Sequence, residues 1–175
     1  MAPNLNHVGV YVWDLDRMVA FYTGVFDLEV SDRGHGSAYP YDIAFLSGNP
    51  DDHHQLVLVA ARPDDARFST VMQLAFEVDT LAEVRALGRR AVEAGATDMV
   101  GLSHGNAWSV YCNDPEGNRI EIFTDTPWHV PQPFAHPLDL DKDDATIYAE
   151  TEAECLATPG FLPRGEWVAA RAARR

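Results

Sequence analysis

The sequence predicts an α+β fold built from two paired βαβββ modules and a C-terminal extension. Two observations predict it. Strand-like alternation and helical spacing of apolar residues occur twice in the same order, and the two copies align at a nearly constant offset. We therefore assign residues 1–125 to one domain with modules at about 4–61 and 71–125, and residues 126–175 to the extension.

The first module begins with "HVGVYVWDL" at His7, where alternating apolar residues predict a strand. Residues 16–26 then have helical spacing, with Asp14 or Asp16 placed to cap the helix N-terminus. Three shorter apolar stretches complete the module and predict strands at 28–30, 41–48 and 54–61. The turn "NPDDH" separates the last two.

The second module repeats this scheme. "QLAFEVDTL" (73–81) alternates like the opening strand, and residues 81–96 form an amphipathic helical pattern with Gly95 as its C-terminal stop. Two strands follow at 107–114 and 118–125, joined by the turn "DPEG".

The register of the repeat can be tested on two separate strand pairs. Gln73 aligns with His7 at an offset of 66, and the closing strands align Glu121 with Val57 at an offset of 64. Agreement between unrelated strands indicates a true internal repeat. One module cannot bury its apolar sheet face alone, so we expect the two modules to pair.

Composition narrows the classes of partner. The net charge of −14 argues against nucleic acid, because phosphates would be repelled. The sequence contains no run of about 18 apolar residues, so no membrane span is predicted. The N-terminus lacks a signal-peptide pattern, and we therefore expect a cytoplasmic protein. Cys112 and Cys155 form no metal or disulfide motif and are expected to be reduced thiols.

Residues 104–123, "HGNAWSVYCNDPEGNRIEIF", carry three notable polar side chains: His104, Tyr111 and Glu121. Glu121 lies between two isoleucines and so points to the face opposite theirs. A carboxylate that faces the protein interior needs a partner for its charge, and a metal ion is the most economical such partner. His7 precedes an alternating strand whose inward face would include it.

This stretch resembles the signature of extradiol ring-cleaving dioxygenases. The sequence departs from that signature two residues before His104, where Leu102 replaces the usual small or β-branched residue. The paired repeat, over residues 4 to about 125, resembles the vicinal oxygen chelate superfamily, which includes glyoxalase I, fosfomycin-resistance proteins and those dioxygenases. The resemblance implies that the modules form a cup-shaped mixed sheet, with metal ligands on the first and last strands of the modules.

Carried over by position, the resemblance implies metal ligands at His7, Gln73 and Glu121, with Val57 in a fourth position that cannot bind a metal. Extradiol dioxygenases use two histidines and one carboxylate, so Gln73 departs from their pattern. Its amide oxygen is a neutral, weaker ligand, although glyoxalase I uses a glutamine ligand in one module. Fe(II) is the ion implied first, with Mn(II), Zn(II) or Ni(II) as alternatives.

The resemblance also assigns catalytic roles. His54, in "DDHHQLVLV", is implied as the acid–base residue, with His53 facing outward. Tyr111 would hold the substrate through its hydroxyl, and His104 would gate or contact the substrate. Structural alternatives stay open: the histidine pair as solvated turn residues, Tyr111 as a lining aromatic, His104 as an exposed loop residue, and Gln73 as a strand cap beside an empty site.

The function that these features predict is a metal-dependent extradiol-type dioxygenase that cleaves a small catechol-like aromatic substrate with O₂. A glyoxalase-like lyase or isomerase stays open; Gln73 favours it and Val57 argues against it. A non-catalytic, resistance-type small-molecule-binding protein of the same fold also stays open. The extension is proline-rich, with helical stretches at 144–157 and 166–175. It would pack on the surface without a catalytic role, cover the cup, or contact a partner subunit in a homodimer or higher homo-oligomer, and these alternatives stay open.

Overall fold

The computed structural model describes residues 3–174. The first module contains five elements in the predicted order: β1 (Val8–Val12), α1 (Leu15–Phe26), β2 (Glu29–His35), β3 (Asp42–Ser47) and β4 (Leu56–Ala60). Its sheet has the order β1-β4-β3-β2, with β1 parallel to β4 and the other neighbours antiparallel.

Helix α1 covers one face of this sheet. Asp14 caps it as predicted, with its carboxylate accepting from the backbone nitrogen of Arg17. Alternate residues of β1, β3 and β4 are buried together with five residues of α1 at helical spacing: Leu15, Met18, Phe21, Tyr22 and Val25. The buried sheet residues include Val10, Val12, Ala44, Leu46, Leu56 and Leu58.

The second module repeats the order with β5 (Leu74–Glu77), α2 (Leu81–Glu93), β6 (Thr97–Ser103), β7 (Ala107–Asn113) and β8 (Arg119–Asp125). The extension adds β9 (Trp128–His129), β10 (His136–Pro137), α3 (Asp144–Ala157), β11 (Leu162–Pro163) and α4 (Arg164–Ala172). The larger sheet has the order β10-β6-β7-β8-β5, and β11 pairs with β9.

Strand pairing confirms the internal repeat. Val8 of β1 pairs with Leu56 of β4, and Leu74 of β5 pairs with Ile120 of β8, both in parallel. These pairs reproduce the sequence offsets of 66 and 64. The predicted α+β architecture of βαβββ modules is therefore correct.

Two strands depart from the sequence prediction. The sequence did not locate β6, whose letters "TDMVGLS" lack strict alternation, and it predicted only the first residues of β2. Strand β2 is exposed along its whole length, so neither face gives a hydrophobic signal. Periodicity therefore misses an edge strand with both faces exposed, such as β2, and a strand without strict alternation, such as β6.

The described chain divides into two compact units. The first unit comprises the residues up to Met72 together with Arg90–Thr97 and Asn113–Arg119. The second unit comprises Gln73–Arg89, Asp98–Cys112 and the residues from Ile120 onward. The division into a domain at 1–125 and an extension at 126–175 stays a prediction.

The extension residues belong to the second unit and are anchored in it. Trp108 of β7 is buried, donates its indole hydrogen to Thr151 of α3 at 2.8 Å and contacts Trp128 of β9 edge-on. Arg85 of α2 donates to the carbonyl of Leu140 at 2.7 Å. In the part of the chain that the structure describes, no helix is both long and apolar enough to traverse a membrane.

Candidate functional site

Three polar side chains surround the Glu121 carboxylate in the second unit. Its Oε1 accepts from the Tyr111 hydroxyl at 2.6 Å and from the Ser109 hydroxyl at 2.7 Å. Its Oε2 accepts from the Gln73 amide nitrogen at 2.5 Å. Glu121 is only 8% exposed, so these three donors stabilise a carboxylate that has lost most of its hydration.

The period of two along a strand explains this convergence. Ser109 and Tyr111 lie two residues apart on β7 and so share a face. Glu121 lies on the neighbouring strand β8 and pairs with Ala75 of β5. Gln73, two residues before Ala75, falls on the same face as Glu121. The sequence prediction that Glu121 points away from its flanking isoleucines agrees with this arrangement.

His104 joins the cluster through Tyr111. Its Nε2 lies 3.0 Å from the Tyr111 hydroxyl and its Nδ1 lies 2.7 Å from the carbonyl oxygen of Phe134. A carbonyl oxygen only accepts, so Nδ1 carries a hydrogen and Nε2 is the nitrogen that faces Tyr111. Gln132 fixes this loop, because its amide donates to the His104 carbonyl at 2.8 Å and accepts from the Phe134 nitrogen at 3.0 Å.

The remaining predicted site residues meet in the first unit. His7 precedes β1 and His54 precedes β4, and their ring centroids lie 4.3 Å apart. The His54 ring also contacts Phe45 of β3 at 5.1 Å. Partial burial, and secondarily the neighbouring His7 and His53, lower the pKa of His54 below its usual value. A lowered pKa favours the neutral imidazole, which can accept a proton.

The structure brings Gln73, Glu121, Tyr111 and His104 together in one unit, and His7 and His54 in the other. Among residues 3–174, no three His, Cys, Asp or Glu side chains gather as a metal-binding group. The predicted ligand set contains a glutamine and does not require such a group. The inclusion of His7 with Gln73 and Glu121 stays a prediction.

The donor chemistry of the second unit fits a divalent cation. The end group of Gln73 lies against the Glu121 carboxylate, where a second ligand of the same ion would lie. An amide can offer either its nitrogen to a carboxylate or its oxygen to a cation. Carboxylate and amide oxygens are hard ligands, which suit divalent ions.

The turn of the signature stretch contains two buried carboxylates whose role the sequence did not reveal. In the first unit, Glu116 accepts from the backbone nitrogens of Trp13 at 2.8 Å and Asp14 at 2.7 Å, at the N-terminus of α1. Asp114 accepts from the Tyr22 hydroxyl at 2.9 Å. These two residues therefore stabilise the fold. The strand register reveals Ser109 as a further contributor to the cluster, and the loop contacts of Gln132 with His104 and Phe134 reveal another.

Comparison with known proteins gives consistent results. The profile of the Glyoxalase/Bleomycin resistance protein/Dioxygenase superfamily matches residues 4–122. Biphenyl-2,3-diol 1,2-dioxygenase 2 of Rhodococcus globerulus is 27% identical over 150 residues, which cover 83% of this chain and 69% of that protein.

Two solved structures show the same fold. A glyoxylase/bleomycin resistance protein/dioxygenase domain from Frankia sp. EAN1pec has a TM-score of 0.59 at 22% identity, covering 72% of this chain and 100% of that chain. The fosfomycin resistance protein FosX from Listeria monocytogenes, complexed with Mn(II) and sulfate, has a TM-score of 0.56 at 20% identity, covering 72% and 95%.

Proposed function

Since this chain belongs to the glyoxalase/bleomycin resistance protein/dioxygenase superfamily, we propose that it is a metal-dependent extradiol-type dioxygenase that opens a catechol-like ring with O₂. The observation that carries the proposal is the continuous set of contacts from His104 through Tyr111 to Glu121 and Gln73. The similarity to a dioxygenase named for biphenyl-2,3-diol supports the same substrate class.

Glu121 and Gln73 would hold the cation, and His7 is the third ligand predicted from the sequence. Fe(II) is the ion implied by the resemblance to extradiol dioxygenases, with Mn(II), Zn(II) or Ni(II) as alternatives. When bound, such an ion supplies the positive charge that attracts both catechol oxygens and lowers the pKa of a catechol hydroxyl.

Three other side chains would supply proton transfer and orientation. His54, whose pKa is lowered, is neutral near pH 7 and can accept a catechol proton. The Tyr111 hydroxyl can hydrogen-bond a substrate oxygen and so fix the position of the ring. His104 holds Tyr111 from its other side, with its own tautomer set by the Phe134 carbonyl.

The direct test is an assay on protein purified without oxygen and loaded with Fe(II). With catechol or biphenyl-2,3-diol, we expect O₂ consumption and a yellow ring-opened product. Glu121→Gln removes the anionic ligand, so metal content and turnover should both fall, turnover by about 10²-fold or more. Glu77→Gln, at an exposed position on β5, is the matched control and should leave both unchanged. Fully metal-loaded protein that consumes no O₂ with either diol would contradict ring cleavage.

A non-catalytic binding protein of the same fold is the second candidate, because three donors already satisfy the Glu121 carboxylate. This candidate predicts no metal in anaerobically purified protein and no change in ligand binding in Glu121→Ala. A glyoxalase-like lyase or isomerase predicts metal binding without O₂ consumption. Metal analysis followed by O₂ uptake therefore separates all three.

A further inference from the structure

The sheet of the first unit has one face covered by α1 and one open face. Pairing of β1 with β4 and of β4 with β3 aligns residues in cross-strand rows on the open face. One row contains Gly9, Val57 and Phe45, and the next contains Tyr11, Val59 and Ile43. The valines, Phe45 and Ile43 are half-buried, so this face is an apolar floor that is still accessible to a ligand.

The two ends of this floor differ in chemistry. At one end lie the His7 and His54 rings, with His54 in contact with Phe45. At the other end lies Tyr11, four residues further along the same chain segment. Strand rows on one face are about 6.6 Å apart, so Tyr11 lies about 13 Å along the strand from His7.

Three tyrosines close the far end. The rings of Tyr39 and Tyr41, in the loop between β2 and β3, have centroids 5.8 Å apart. Together with Tyr11 they line an open cavity of about 460 Å³ that contains no charged residue in its lining. A hydrogen bond with Tyr39 raises the pKa of Tyr11, so this phenol stays neutral. The cavity therefore favours a neutral ligand with an aromatic surface.

Gly9 makes the floor between the two ends flat. A Cβ at this position would meet only the Val57 Cβ, at 4.0 Å, so the absence of a side chain leaves free space above the strand. A benzene ring fits a cavity of about 150 Å³, so the space at the tyrosine end is large enough for an aromatic ring and substituents.

We propose that the open face of the first unit's sheet is a binding subsite for a neutral aromatic group carried by the substrate. The distal ring lies against Tyr11, Tyr39 and Tyr41, and the reacting end lies beside His7 and His54. For the reacting end this inference rests on the proposed dioxygenase function. It makes an aryl-substituted catechol, about 10–13 Å long, the preferred substrate class over catechol itself.

Steady-state kinetics with two diols test the subsite. Tyr11→Ala should raise the KM for biphenyl-2,3-diol about tenfold and leave the kcat/KM for catechol within about twofold, because catechol does not reach Tyr11. Tyr11→Phe keeps the ring and is the matched control, with a KM close to that of the unmodified protein. Gly9→Val should selectively impair biphenyl-2,3-diol, because its side chain occupies the flat part of the floor.

Equilibrium binding separates the subsite from the chemistry. Calorimetry on metal-free protein uses 2-hydroxybiphenyl and phenol, neither of which is a catechol. We expect 2-hydroxybiphenyl to bind at least tenfold more tightly than phenol, and Tyr11→Ala to remove that difference. These affinities, combined with no O₂ consumption by the Fe(II)-loaded protein, would support the subsite and contradict the dioxygenase. Equal KM values for biphenyl-2,3-diol in Tyr11→Ala and the unmodified protein, or equal affinities for the two phenols, would overturn the subsite.

Discussion

At the residue scale, the Tyr111 hydroxyl occupies the centre of the polar cluster in the second unit. It lies 2.6 Å from Glu121 Oε1 and 3.0 Å from His104 Nε2. A hydroxyl has one hydrogen and two acceptor positions, so it can donate to the Glu121 carboxylate or to His104 Nε2, but not to both at once. The same atom can therefore transmit a change at Glu121 to His104.

Tyr111→Phe tests this role because it removes the hydroxyl and keeps the ring. We expect kcat to fall about 10²-fold with little change in KM, since the hydroxyl orients the reacting group, and stability to fall by about 1–2 kcal/mol. Steady-state kinetics and urea unfolding measure the two effects. Tyr148→Phe is the matched control, because the Tyr148 ring packs at a tilt against Trp128 and belongs to no part of the cluster. An unchanged kcat in Tyr111→Phe would assign the hydroxyl to structure alone.

Glu116 shows the opposite case, in which a buried carboxylate in the signature stretch serves stability. Its side chain is 3% exposed, and it accepts from two backbone nitrogens at the start of α1. Glu116→Gln presents an amide nitrogen to donors, so we expect a loss of about 3 kcal/mol. This loss would lower the urea midpoint by about 1.5 M. Glu93→Gln, at the exposed end of α2, should change the midpoint by less than about 0.3 M.

At the element scale, the C-terminal extension takes part in shaping the candidate site. Strand β10 pairs with β6 at the edge of the larger sheet, and the segment before β10 supplies the carbonyl that fixes the His104 ring. Gln132 holds this segment by contacting the backbone of both His104 and Phe134. Helix α3, with its Asp143 cap, was predictable from local sequence. The contact between His104 and the Phe134 carbonyl was not, because the two residues lie 30 positions apart.

Gln132→Ala should therefore affect catalysis more than folding. Loss of two backbone contacts frees the His104 loop, and we expect kcat to fall about tenfold while stability falls by about 1 kcal/mol. Lys142→Ala is the control within the same extension, because it breaks an exposed pair with Glu150 that does not touch His104. Equal kcat values for the two variants would contradict a positioning role for Gln132. Gln132→Glu should restore only the contact with the Phe134 nitrogen, so its kcat should lie between those of Gln132→Ala and the unmodified protein.

At the scale of the whole molecule, the sequence predicts what depends on periodicity and repetition. The offsets of 66 and 64 read from the sequence recur between Val8 and Leu74 and between Leu56 and Ile120 in the two parallel strand pairs. Period-two alternation likewise predicted the direction of Glu121. The donation from Gln73 to Glu121 could not be predicted, because it depends on the diagonal placement of two side chains across a strand pair. The structural role of Glu116 could not be predicted either, because its partners Trp13 and Asp14 lie about 100 residues away in the chain.

The net charge of −14 predicts how salt changes the stability of the whole molecule. Excess negative charge repels itself more strongly in the compact state, and salt screens this repulsion. Exposed ion pairs such as Arg33–Asp16 act in the opposite direction, but each contributes only about 0.2–1 kcal/mol. Repulsion should dominate, so raising NaCl from about 10 to 200 mM at pH 7 should increase stability by about 1 kcal/mol, a rise of about 3 °C in Tm.

Scanning calorimetry at both salt concentrations measures the shift. Near pH 4.7, where the net charge approaches zero, the rise should disappear, and a fall in Tm with salt at pH 7 would show that ion pairs outweigh the net charge.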